Sequence, residues 1–188
     1  MEQERTAITV YCASSPRLEP IFHKAAEALG REIALSGAQL VYGGGRSGLM
    51  GRVADSVLEA GGAVTGVIPR FMYERGWGHD GLQRLDIVDS MHTRKEAMMR
   101  MAKGVVALPG GIGTFEELLE AITWRELRLF DGNIAIYNVD GYFDPLISML
   151  ESAVERGFMR TDRRNLYRVV STAREAVEYA LGVEPTAL

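Results

Sequence analysis

The sequence predicts an α/β fold: a doubly wound parallel sheet with helices on both faces. Three observations carry this expectation. Short β-type runs alternate with amphipathic segments of helical period. Glycines gather at the strand-to-helix turns, and the balance of 47% apolar to 24% charged residues suits a packed globular chain. The 188 residues fall within the roughly 100–200 expected of one domain, so residues 1–188 are read as a single domain.

The elements follow in order. Thr6 to Tyr11 reads as a strand, and Ile21, Ala25, Ala28, Leu29 and Ile33 recur at helical spacing until Gly37. Gln39 to Tyr42 is a second strand, which runs into Gly43–Gly45 and a helix over Leu49 to Glu59. Val64 to Ile68 is the third strand, and the aperiodic stretch Arg70 to Gly81 reads as a surface excursion. Leu85 to Val88 resumes strand character before a helix that runs to Ala102, capped by Asp89 or Ser90. Val105 to Leu108, Asn133 to Val139 and Arg168 to Val170 complete the strands. Between and after them, Thr114 to Phe130, Asp144 to Arg156 and Thr172 to Leu181 read as helices. In such a fold the ligand sits at the carboxyl ends of the strands.

Composition removes several classes of function. A net charge of −4 provides no general basic field for nucleic acid. The single Cys12 forms no internal disulfide, and His23, His79 and His92 have no metal-ligand spacing. No stretch nears the roughly 18 uninterrupted apolar residues of a membrane span, and the N-terminus lacks an apolar leader. A cytoplasmic protein without metal, cofactor, membrane or nucleic-acid partner is the expectation.

Two glycine-rich turns are candidate binding loops. Gly43, Gly45 and Gly48 match G-x-G-x-x-G, but they follow the second strand and lack the downstream acidic residue of a dinucleotide site. A P-loop is excluded, because none of Lys24, Lys95 and Lys103 follows a glycine. Leu108 to Thr114 is more informative: glycines between a strand and a helix start let backbone N–H groups converge on an anion such as phosphate. The alternative is a tight turn whose glycines serve only positive φ. Thr114 and Glu117 have the spacing of a capping box, which competes with a catalytic role for Glu117. Glu116 and Glu120 read as solvated charges. Arg94 and Lys95, near the start of their helix, oppose its dipole and call for an anionic partner; the alternative is an exposed Arg-Lys pair near Glu96. Met91, Met98, Met99 and Met101 read as packing residues, His79 and His92 as loop hydrogen-bonders, and Arg163–Arg164 as a solvated face. The helix from Thr114 to Phe130 is apolar almost all round, which suggests burial on more than one side and a subunit interface.

Pro109 to Glu117 resembles the PGGxGTxxE signature of the LOG (Lonely guy) family, and Met91 to Met98 resembles its MHxRKxxM segment. Val41–Gly45 with Gly48–Gly51, Gly66–Pro69, Ala121–Trp124 and Asn138–Tyr142 add supporting matches between Ile8 and Val177. The resemblance implies a Rossmann-like homodimer that cleaves the N-glycosidic bond of adenosine 5′-monophosphate or an N6-modified form. The products would be adenine or a cytokinin base, and ribose 5-phosphate. It implies Arg94 and Glu117 as catalytic residues. Substrate binding would fall to Lys95, Gly110, Gly111, Ile112, Gly113, Thr114, Phe115 and Glu116, with Gly44 and Gly45. The family's substrate-contacting Glu falls at Gly76 here, so either Glu74 replaces it from a shifted loop or the contact is lost. Leu127 to Gly132 also departs from the family pattern. A non-catalytic nucleotide-sensing module and a PLP-dependent decarboxylase are the alternative readings.

Overall fold

Alternating apolar residues make each strand two-faced, and the structure uses both faces. The computed structural model describes residues 6–159 and 165–183. Seven strands form one parallel sheet: β1 (Ala7–Tyr11), β2 (Gln39–Tyr42), β3 (Ala63–Pro69), β4 (Arg84–Val88), β5 (Gly104–Ala107), β6 (Asn133–Tyr137) and β7 (Arg168–Val170). Their order is β4-β3-β2-β1-β5-β6-β7, with every pair parallel. The helices are α1 (Pro20–Leu35), α2 (Gly48–Glu59), α3 (Arg70–Glu74), α4 (Met91–Met101), α5 (Ile112–Glu126), α6 (Asp144–Glu155) and α7 (Ala173–Leu181).

Ile8 and Val10 of β1, Leu40 and Tyr42 of β2 and Val106 of β5 pack beneath α1, α2 and α7. The alternate residues Ala7, Tyr11, Val41, Val105 and Ala107 pack with Met98, Met99, Leu118 and Ile122 of α4 and α5. This period of two on a sheet covered on both faces is the expected doubly wound arrangement.

The structure corrects three local expectations. The excursion after β3 contains the short helix α3. The helix expected from Thr114 starts earlier, with Gly111 as its N-cap in extended backbone, so Thr114 and Glu117 are both inside α5 and form no capping box. A capping box does exist at Thr172 and Glu175. At its other end α5 stops at Glu126, and Arg128 adopts a left-handed φ of 60° that turns Phe130 back into the core. Nor is α5 buried all round: Leu118, Ala121 and Ile122 are buried, but Ile112, Leu119, Leu127 and Leu129 on it and just beyond it are exposed. Met98 and Met99 are core residues, and His79 is hydrogen-bonded to Asp55 and to the Gly81 amide. The Arg163–Arg164 pair lies outside the described residues.

Candidate active site

The chain runs outward from β1 through β2 and β3 to β4, then returns to place β5 on the other side of β1. The loops leaving β1 and β5 therefore part in opposite directions and open a crevice at the carboxyl edge. Ala13 N–H donates to Pro109 O at 3.1 Å and holds the two loops together at its base. A cavity of about 550 Å³ lies here, reached by the ends of five strands. Cys12, Ser14, Gly43, Ile68, Met91 and Gly111 are among its lining residues.

One wall is the start of α5. The amides of Ile112, Gly113 and Thr114 are first-turn donors without intrahelical acceptors, and no side chain caps them from Gly111. Gly111, Ile112, Gly113 and Thr114 all line the cavity. None of Gly110, Gly111 and Gly113 has positive φ, so the tight-turn explanation of these glycines fails. A Cβ at Gly111 or Gly113 would meet nothing within 4 Å. Neither strain nor packing requires glycine at these two positions, and both face the open crevice. Gly110 differs, for its Cβ would lie 2.0 Å from Thr114 Oγ1. It also accepts from the Tyr142 hydroxyl through its carbonyl.

The same cavity holds a buried ion pair. Arg94 and Glu117 are each 4% exposed, with Arg94 Nη1 3.6 Å from Glu117 Oε1. Arg94 Nε donates to Val67 O at 3.0 Å and its Nη2 to Gly43 O at 2.9 Å. One guanidinium thus ties the ends of β2 and β3 to α5. Gly43 is required for this approach, since a Cβ there would fall 1.9 Å from Arg94 Nη2. Burial raises the Glu117 pKa to about 7, Arg94 offsets part of that rise, and Glu116 adds to it. Such a carboxyl exchanges its proton near neutrality. Cys12 also lines the cavity, but burial, reinforced by Glu117, pushes its thiol up and keeps it protonated.

A family model described as "Possible lysine decarboxylase" matches residues 50–180. The cytokinin riboside 5′-monophosphate phosphoribohydrolase LOG4 of Arabidopsis thaliana is 42% identical over 171 residues, 91% of this chain and 80% of that protein. The chain belongs to the LOG family. The enzyme LOG of Oryza sativa subsp. japonica is likewise 42% identical, over 90% of this chain and 70% of its own length. Among solved structures, TM1055 superposes with a TM-score of 0.69 at 25% identity, covering 92% of this chain and 96% of that one. The molybdenum cofactor binding protein of Rippkaea orientalis gives 0.71 at 20% identity, over 95% and 96% of the two chains, and shares the fold.

The two LOG signature segments supply α4 and the start of α5, and the fold brings Arg94, Glu117, Gly111, Ile112, Gly113, Thr114, Glu116 and Gly45 to one cavity. Other expected contacts lie elsewhere. Lys95 is not in the cavity lining; it pairs with Glu116 and, at 3.1 Å, with Glu120. Burial disfavours its charge, but the hydrogen bonds to both carboxylates prevail and raise its pKa. The anionic partner expected for Lys95 is therefore α5 itself, and Glu116 and Glu120 are its ion-pair partners, Glu116 remaining solvent-exposed as expected and Glu120 partly buried. Phe115 stacks on Tyr142 outside the lining, and Gly44 lies behind Gly45 with its carbonyl accepting from His79 N–H. Glu74 ends α3 and is not among the residues that line the cavity.

Sequence reasoning missed the rest of the lining. Met50, Ile68, Met72, Trp77 and Met91 form an apolar side, and Ser14 and Ser47 are also present. Met91 is thus a cavity residue as well as a contact of Arg94, rather than packing alone. The available signal was positional, because these residues lie at the carboxyl ends of strands or in the segments that follow them.

Proposed function

We propose that this protein is a nucleoside 5′-monophosphate phosphoribohydrolase. It cleaves adenosine 5′-monophosphate or its N6-substituted forms to free base and ribose 5-phosphate. The carrying observation is that one cavity holds both an uncapped helix start bordered by open glycines and the buried Arg94–Glu117 pair. Curated relatives named as phosphoribohydrolases support the reading.

The first-turn amides of α5, with Thr114, hold the 5′-phosphate, whose binding positions the ribose. Water adds at C1′ as the bond to the base nitrogen breaks, through an oxocarbenium-like state. The Glu117 carboxylate stabilises the positive charge on the sugar and orients the attacking water. Arg94 holds Glu117 and presents Nη1 to the substrate. Lys95 contributes indirectly, by neutralising Glu116 and Glu120 beside Glu117. Among the described residues no lysine lines the cavity, which argues against decarboxylation through a lysine-bound cofactor. The same reading takes residues 1–188 as one cytoplasmic domain, paired into a homodimer through the exposed Leu119, Leu127 and Leu129. Among the described residues, no helix is long and apolar enough to cross a membrane.

Incubating the protein with AMP and N6-alkyl AMP and measuring free base tests the proposal. Stoichiometric release of base and ribose 5-phosphate, lost in Glu117→Gln, is expected. A folded protein that binds AMP without releasing base is a sensing module instead.

A further inference from the structure

The cavity lining is of two chemical kinds, and the mechanism above uses only one. Besides the helix start and the ion pair it includes Met50, Ile68, Met72, Met91 and Trp77, contributed by segments that follow β2, β3 and β4 or end β3, whereas α5 follows β5 on the other side of β1. Trp77 stands out, because its large aromatic ring remains 49% exposed at the cavity edge. Its loop is fastened rather than free. Gly45 and Gly78 form an antiparallel bridge, Arg46 N–H donates to Trp77 O at 3.1 Å, and Trp77 N–H donates to Met72 O at 3.2 Å. His79 anchors the next turn through Asp55, at 2.9 Å. The Arg75 guanidinium lies 5.3 Å from the Trp77 ring centroid, a cation–π contact that steadies the indole. An exposed aromatic surface held in place beside thioether side chains suits a flat apolar ligand group.

We propose that Trp77 is a specificity-determining residue: its indole is the wall against which the purine base packs, and it favours bases that carry an apolar N6 substituent. The inference rests on the phosphoribohydrolase reading for the identity of the base. With phosphate held at the α5 start and the sugar at Glu117, the base is the part of the ligand left to meet the apolar lining. Trp77 touches no reacting atom in this arrangement, so its contribution appears in KM rather than kcat.

The test compares wild type with Trp77→Ala and Trp77→Phe. Trp77→Ala should raise KM for N6-alkyl AMP roughly ten- to hundredfold, the range of base–aromatic stacking. KM for AMP should rise less, kcat should stay within about threefold, and Trp77→Phe should restore most of the loss. Intrinsic fluorescence gives a readout independent of turnover. N6-alkyl AMP should change the emission of wild type and not that of Trp77→Phe, whereas ribose 5-phosphate, which shares the phosphate anchor, should change neither. Equal KM changes for both nucleotides overturn the proposal, as does an emission change that ribose 5-phosphate reproduces or that survives in Trp77→Phe. If no base is released but the fluorescence result holds, the hydrolase reading fails and the base contact stands.

Discussion

Replacing Glu117 with glutamine removes a carboxyl group whose proton the fold holds more tightly than the unfolded chain does. Its pKa rises from 4.5 to about 7, chiefly through burial and despite Arg94. The native state therefore retains a proton that the unfolded state releases, so the stability this group contributes is fully present below pH 4.5 and is lost as pH rises to about 7. At about 1.4 kcal/mol per pH unit, the full loss is about 3 kcal/mol. Roughly 2 kcal/mol of it falls between about pH 5.5 and 8.5, a range in which the protein can be studied folded. Urea denaturation of wild type and Glu117→Gln at these two pH values isolates the effect, because other titrating groups are common to both. Relative to wild type, the variant should gain about 2 kcal/mol on going from the lower pH to the higher, or roughly 4–8 °C in Tm. A difference between the proteins that stays constant with pH would refute the assigned ionisation. With the carboxylate as the active form, kcat/KM should rise with pH about a midpoint near 7.

Two further substitutions probe the ion pair and the helix start. Gly43→Ala places a methyl group 1.9 Å from Arg94 Nη2, so the guanidinium must leave Gly43 O and Glu117. A loss of about 2–4 kcal/mol in denaturant stability is expected, together with a fall in kcat/KM towards AMP comparable to that of Arg94→Ala. Unchanged stability would show that the site adapts freely. Gly111→Ala meets no atom within 4 Å and has a φ of −87°, so stability should change by less than about 0.5 kcal/mol. KM for AMP should nevertheless rise roughly tenfold, as the methyl group crowds the anion from its amide donors; an unchanged KM would place the phosphate elsewhere.

The sheet was legible because alternation along β1, β2, β5 and β6 separates two buried faces, and glycine or proline punctuates the ends. Helix boundaries were less so. Thr114 and Glu117 have the spacing of a capping box, yet extended backbone at Gly111 starts the helix two residues before Thr114, a choice that spacing cannot register. Arg94 and Glu117 were found through signature motifs, but their mutual contact and the role of Gly43 depend on residues brought together by strand order. The pairing of Lys95 with Glu116 and Glu120 was not legible, because charge near a helix start says nothing about which neighbouring helix offers the counterion. The apolar lining was missed for a different reason: methionine and tryptophan carry no chemical signature, and Met50, Met72, Trp77 and Met91 come from α2, the β3–β4 connection and α4, which are separate in sequence.

The contact between Gly43 and Arg94, 51 positions apart, also constrains how this sequence can change over generations. With the arginine present, only a hydrogen atom fits at position 43. Once the arginine is lost, the nearest neighbour of an alanine there is the flexible end of Met50, 3.1 Å away. Loss can therefore proceed in one order, arginine first and glycine second, after which regaining the arginine alone is blocked by the new methyl group. The pair acts as a ratchet: lineages that leave this arrangement do not return to it by a single step.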